Sequence, residues 1–217
     1  MTNISYDNIV DCVISGIKRS TRDYLSLTKE FDELNNGPEY FLTVGIANEL
    51  KRKLEAVSIF LEEPWGDVQD PPEGRKLVRW NSSNRYDIVV RNSMGYPYAA
   101  IEVKHRVNGI RKEIITDFER ISTAVEMENG QKIFNMGIFA FYTVEYTTKA
   151  EITNVKDKII NLYSNLEREL NKHKRKAKLD RRLISPNPYT NEDGKLKIWI
   201  GGTKIVWGGG CFILSPE

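Results

Sequence analysis

Ten consecutive residues, Ile133-Phe134-Asn135-Met136-Gly137-Ile138-Phe139-Ala140-Phe141-Tyr142, carry a single amide among otherwise apolar, glycyl or aromatic side chains. No other feature constrains the fold as much. A strand points its side chains alternately to two faces, so a run that is apolar at odd and even positions leaves no face for solvent. Such a strand belongs in the middle of a sheet covered on both sides. In a chain of 217 residues, long enough for one full core, helices are the natural cover.

The flanking patterns supply them. Ile9, Val10, Val13, Ile14 and Ile17 form one stripe and predict a helix from about Asp7 to Lys18, with a second amphipathic piece from about Arg22 to Leu34. Asn36-Gly37-Pro38 stops that piece, and Pro38 suits the start of the next helix. There Leu42, Ile46, Leu50, Leu54, Val57 and Leu61 recur at helical spacing, which predicts a helix over about 39–61 with Glu49 at the edge of its stripe. A Pro- and Gly-punctuated loop runs to Gly74. Three strands are expected next: Arg75 to Trp80, Arg85 to Arg91 and Tyr98 to His105. Asn81–Asn84 and a hairpin turn at Asn92-Ser93-Met94-Gly95 join them. A helix over about 110–127 precedes the apolar strand at 131–144. The remainder reads as a helix over about 154–178, then strands at 196–200, 204–207 and 211–214, with the glycine pairs and triplet as turns or bulges.

Composition narrows the class. A 40% hydrophobic, 29% charged chain is ordinary for a globular protein, and a net charge of +2 says nothing by itself about a polyanionic partner. Cys12 and Cys211, far apart, make neither a disulfide framework nor a zinc knuckle and are expected to be reduced. With no basic leader, no bilayer-length apolar run and no call for a membrane partner, a cytoplasmic location is expected.

Chemistry concentrates in two strands. Alternation in Ala99-Ala100-Ile101-Glu102-Val103-Lys104 puts Glu102 and Lys104 on one face, opposite Ile101 and Val103. In the strand before, Tyr86, Ile88 and Val90 are expected on one face and Asp87 on the other. If the hairpin pairs in the right register, Asp87 comes near Glu102. Two carboxylates beside an ammonium suit phosphodiester hydrolysis: Mg²⁺ takes hard oxygen ligands, and a lysine can orient the attacking water. A Glu-X-Lys pattern alone is commonly a solvated face, so its setting after a hairpin and before a helix carries the weight.

Those residues bear a resemblance. Arg85-Tyr86-Asp87-Ile88-Val89-Val90 followed by Ala100-Ile101-Glu102-Val103-Lys104 resembles the PD-(D/E)XK nuclease superfamily, with tyrosine rather than proline before the aspartate. The likeness covers about Glu39 to Val144. It implies a restriction-endonuclease-like α/β core (helix, three strands, helix, strand) at about 38–145, within a single nuclease-like domain. A helical part at 1–37 and a helix plus β extension at 146–217 complete the domain. It further implies Asp87 and Glu102 as metal ligands, Lys104 as the catalytic lysine, and Glu49 as an accessory acid and ligand. The cofactor would be Mg²⁺, with Mn²⁺ able to substitute. The substrate would be DNA in preference to RNA, cut by an endonuclease of restriction, phage or defence context. The rival reading is a nuclease-like domain that binds nucleic acid or a partner protein without cutting.

Weaker signals remain. Lys172, Lys174, Arg175, Lys176 and Lys178 with Arg181 and Arg182 form the densest basic run, suited either to phosphate contact or to a solvated helix end. Lys51, Arg52, Arg106, Arg111 and Lys112 flank the proposed site, as charges commonly do. His105 is expected to be structural and His173 solvent-exposed. The apolar tail offers a surface for a homodimer contact.

Overall fold

The computed structural model describes residues 4–28, 37–55, 57–64, 85–126, 133–148, 151–190, 197–199 and 202–217. The expected strand at Arg75–Trp80 and the turn at Asn81–Asn84 lie outside the described residues. The elements are α1 (Tyr6–Leu27), α2 (Glu39–Lys53), β1 (Ser58–Pro64), β2 (Arg85–Arg91), β3 (Pro97–Lys104), α3 (Lys112–Val125), β4 (Met136–Thr147), α4 (Ile152–His173), β5 (Ala177–Pro188), β6 (Ile198–Trp199) and β7 (Thr203–Pro216). They form one mixed seven-stranded sheet in the order β1-β2-β3-β4-β7-β5, with β6 paired to β7. Among the described strands only β3 and β4 run parallel, and α3 lies in the crossover between them. The other pairings are antiparallel. No described helix is long and apolar enough to cross a membrane.

The apolar run behaves as its composition requires. Met136, Ile138, Ala140, Tyr142 and Val144 of β4 pack on the side of α1 and α2. Phe139 and Phe141 pack on the side of α3 and α4. Both faces of the central strand are therefore dry, and the architecture is α/β in three layers.

Four boundaries differ from the sequence expectation, each through a contact the local pattern does not contain. The first helical piece and the second as far as Leu27 are one 22-residue helix, α1, and residues 29–34 of the second lie outside the described residues. Thr21 at their junction returns its hydroxyl to the Ile17 carbonyl (3.0 Å) instead of interrupting the turn. Helix α2 ends at Lys53, and edge strand β1, Ser58–Pro64, takes up Ser58–Leu61, expected as the last turn of that helix. Leu61 fits either period, and the ladder from Ser58↔Arg91 to Pro64↔Arg85 decides for the strand. The long C-terminal helix stops at His173, and the second half of the basic run enters β5, a strand the charge pattern concealed.

Gly208-Gly209-Gly210, expected as turns or bulges, lies inside one 14-residue strand, β7, beside the register shift of its ladder with β5. A Cβ at Gly208 would stand 2.1 Å from the Tyr163 hydroxyl oxygen, and one at Gly209 would stand 2.5 Å from the Phe141 carbonyl oxygen. The glycines admit close neighbours rather than reverse the chain. The Asn92–Gly95 hairpin turn does form: Gly95 has φ +82°, and the Asn92 carboxamide oxygen accepts the Met94 and Tyr96 N–H groups at 3.0 Å each.

Candidate functional site

The site is built where the β1–β2–β3 meander loses its regularity. Pairs of β1 and β2 step from Leu61↔Ile88 to Glu63↔Tyr86, and those of β2 and β3 end at Ile88↔Ile101. Asp87 falls in the gap on both sides. Glu62, across from it on β1, takes φ +53°, a left-handed conformation unusual for a side chain of this kind. Tyr86 turns to the α3/α4 side and meets the Phe134 ring edge-on at 5.2 Å, while Ile88 and Val90 face α1 and α2. Strict alternation, with Tyr86 and Ile88 on a common face, does not hold here. Carrying the β2–β3 register one residue further sets Asp87 against Glu102. The Asp87 Oδ2 atom then accepts the Val103 N–H at 2.7 Å, a bond that the distorted strand pair leaves to a side chain.

Glu102 is fully buried, facing α3. Arg120 Nε donates to its Oε1 at 2.9 Å, and Arg120 Nη2 closes on Oε2 as an ion pair. Oε2 accepts no hydrogen bond. Lys104 Nζ lies 2.8 Å from Asp117 Oδ2 and 3.8 Å from Glu39 Oε1, and Arg120 also meets Asp117 at 3.0 Å. Burial, then the neighbouring Asp87 charge, pushes the Glu102 carboxyl well above the ordinary range, with Arg120 opposing. Burial also raises Asp87, against the Val103 hydrogen bond and Lys104. The acids near Lys104, Asp117 first, outweigh its burial and raise it, so the ammonium stays charged.

Sequence reasoning missed Asp117, Arg120 and Glu39. Asp117 and Arg120 sit three residues apart on the helix that directly follows Lys104, a spacing that shares one helix side. That signal was visible, but nothing local says which strand residues they meet. Glu39 begins α2 and also accepts the His105 N–H at 3.0 Å. Glu49 is ten residues further along that helix, about 15 Å at the rise of an α-helix. It is buried against α1, where Arg19 (2.8 Å), Arg52 (2.7 Å) and Lys53 (3.6 Å) surround it. The structure therefore brings Asp87, Glu102 and Lys104 together and leaves Glu49 out. The hydrogen bond from Arg52, opposed by burial and joined by Arg19, draws the Glu49 carboxyl down to about 2.

No family model, curated protein or solved structure matches the chain. Functional inference rests on the residues themselves.

As packed, no three His, Cys, Asp or Glu side chains among the described residues converge as a ready ligand cage. The donor set nevertheless fits a hard divalent cation. Such an ion needs only one or two carboxylates alongside water and phosphate oxygens, and Asp87 and Glu102 supply two, with Glu102 Oε2 buried, ion-paired to Arg120 Nη2 and without an aligned hydrogen bond. Among the described residues, Asp87, Glu102, Asp117 and Glu39 stand against Lys104 and Arg120, four acids to two cations.

The basic run is divided. Lys172 pairs with Glu169, Arg175 with Glu126, Arg181 with Glu167, and Arg182 with Asp7 and Asp11. Lys174, Lys176 and Lys178 make no ion pair among the described residues. Their turn adjoins Pro216 at the end of β7, beside the start of β4, whereas Lys104 lies level with Phe141. The separation is about 20 Å along the strands and about 14 Å across them at standard spacings. His173 is not free in solvent: its Nδ1 lies 2.8 Å from Glu119. The His105 ring turns away from Lys104 and stacks on Tyr142 at 5.8 Å.

Proposed function

We propose that this chain is a metal-dependent nuclease with a restriction-endonuclease-like core, hydrolysing phosphodiester bonds of DNA. The observation that carries the reading is Asp87 set against Glu102 at the end of β3, with Lys104 two residues on. The succession α2, β1, β2, β3, α3, β4 supports the same core, with β1 in the place expected of the strand at 75–80.

Asp87 and Glu102 would hold Mg²⁺ or Mn²⁺. Such an ion lowers the pKa of a bound water and offsets charge building on the phosphate. Lys104, kept charged by Asp117 and Glu39, would direct its ammonium at the developing anion, and Asp117 fixes the position of that ammonium. Purified protein incubated with plasmid, single-stranded DNA and RNA is expected to cut DNA with Mg²⁺ or Mn²⁺ and not with chelator. Lys104→Ala and Asp87→Ala should each lower the rate about 10²–10³-fold, the scale for loss of one transition-state donor. Undiminished cleavage in both variants would refute the assignment.

One observation favours the second reading, a domain that binds nucleic acid without cutting it. Arg120 already engages Glu102, and Asp117 already engages Lys104. Cleavage by the metal-loaded protein separates the two readings.

A further inference from the structure

Glu102, Arg120, Asp117, Lys104 and Glu39 form an unbroken chain of ion pairs in which each cation touches two acids. Arg120 can therefore leave Glu102 and keep a partner, because Asp117 is already 3.0 Å away. Without Asp117 the move would strand a guanidinium whose side chain is only 14% exposed. Glu102 has no comparable freedom: both its oxygens face Arg120, and its side chain has no exposure. A cation held between Asp87 and Glu102 must share those same oxygens.

We infer that Arg120 is a positioning residue that holds Glu102 in a closed, charge-paired state and yields it by shifting its weight onto Asp117. The inference rests on the metal-dependent reading above. In the closed state Arg120 supplies the positive charge that keeps a buried carboxylate tolerable. In the open state Asp117 takes Arg120, and Glu102 turns its oxygens to a divalent ion. Arg120 thus opposes metal binding at Glu102, while Asp117 favours it by receiving the guanidinium.

The probe is Mn²⁺ alone, its free concentration followed by electron paramagnetic resonance. Arg120→Gln is expected to tighten Mn²⁺ binding by at least about tenfold, since the competing cation is gone, and Asp117→Asn to weaken it. In the native protein, titration with Mg²⁺ should move the Arg120 Nε–H signal in nitrogen-edited NMR spectra as its bond to Glu102 is lost. A merely structural arginine would give the opposite result: Arg120→Gln binding Mn²⁺ no better than the native protein, with an unmoved Nε–H signal. That outcome overturns the inference and leaves the hydrolytic reading standing. Tighter binding by Arg120→Gln without cleavage by either protein supports the inference and sinks hydrolysis. No uptake of Mn²⁺ by either protein overturns both. If Arg120→Gln does not fold, the NMR titration decides alone, and an unmoved signal overturns the inference.

Discussion

Glu49 and Glu102 both lose nearly all contact with solvent, yet their protons respond in opposite directions. Glu49 gathers guanidinium groups that still reach water, so pairing wins and its carboxyl falls to about 2. Glu102 is enclosed with another acid beside it, so desolvation wins and its carboxyl rises. The linkage follows with opposite sign. A depressed carboxyl contributes stability above its unfolded value, near 4.5, and that contribution is lost as pH falls towards 2. A raised one contributes most at acid pH and loses its contribution as pH climbs through its folded value. Glu49→Gln is therefore expected to cost about 1–2 kcal/mol at neutral pH, held down by the solvent around Arg19 and Arg52. The difference from the native protein should stay level above pH 5 and shrink between about pH 4.5 and 2. Urea titrations at pH 7, 4 and 3 check this, and a difference that grows on acidification would contradict it.

At the level of elements, β7 shows what its glycines are for. Gly209 lies opposite Ile184 of β5, where the β5–β7 register shifts. The Tyr163 hydroxyl from α4 enters the ladder there, accepting the Gly209 N–H at 2.7 Å and donating to the Ile184 carbonyl at 2.9 Å. One phenol stands in for a strand-to-strand bond and ties the helix to the sheet, an approach that a side chain at Gly208 would block. Tyr163→Phe leaves two buried main-chain groups without that partner and is expected to cost about 1–3 kcal/mol. Gly209→Ala pushes a methyl against the Phe141 carbonyl, which has no rotamer to escape into, and should cost about 1–3 kcal/mol as well. Thermal unfolding of both variants is the measurement. A Tyr163→Phe protein as stable as the native one would remove the hydroxyl from the ladder argument.

For the molecule as a whole, the decisive fact is which end of the sheet carries which charge. Lys104, Glu39 and the loop from His105 to Arg111 share the end where parallel β3 and β4 point, the usual ligand end of an open α/β sheet. Arg106, Arg111 and Lys112 are exposed there and make no ion pair among the described residues. The dense run at 172–178 lies at the other end of the sheet. Replacing Arg106, Arg111 and Lys112 with alanine is expected to weaken DNA binding and flatten its salt dependence by up to about 0.9 in log–log slope per lost phosphate contact. The same change at Lys174, Lys176 and Lys178 should do less to that binding. Filter-binding isotherms across a salt series compare the two, and a larger effect from the second set would relocate the interface.

Much of this was legible in the chain, for a physical reason. The period of a strand or helix is a property of neighbouring residues. The two-sided burial of β4, the amphipathic helices, the hairpin turn at Asn92–Gly95 and the shared side of Glu102 and Lys104 were all readable from short windows. Pairing is not such a property. Whether Leu61 belonged to a helix or a strand depended on β2, and whether Lys178 was helical depended on β7. Glu39 and Glu49 sit on one helix as acids of equal plausibility, and only α1 on one side and the end of β3 on the other tell them apart. Sequence alone determined which residues could share a face. The tertiary structure decided which charges meet: Arg120 on Glu102, Asp117 on Lys104, and Asp87 on the main chain of its neighbouring strand.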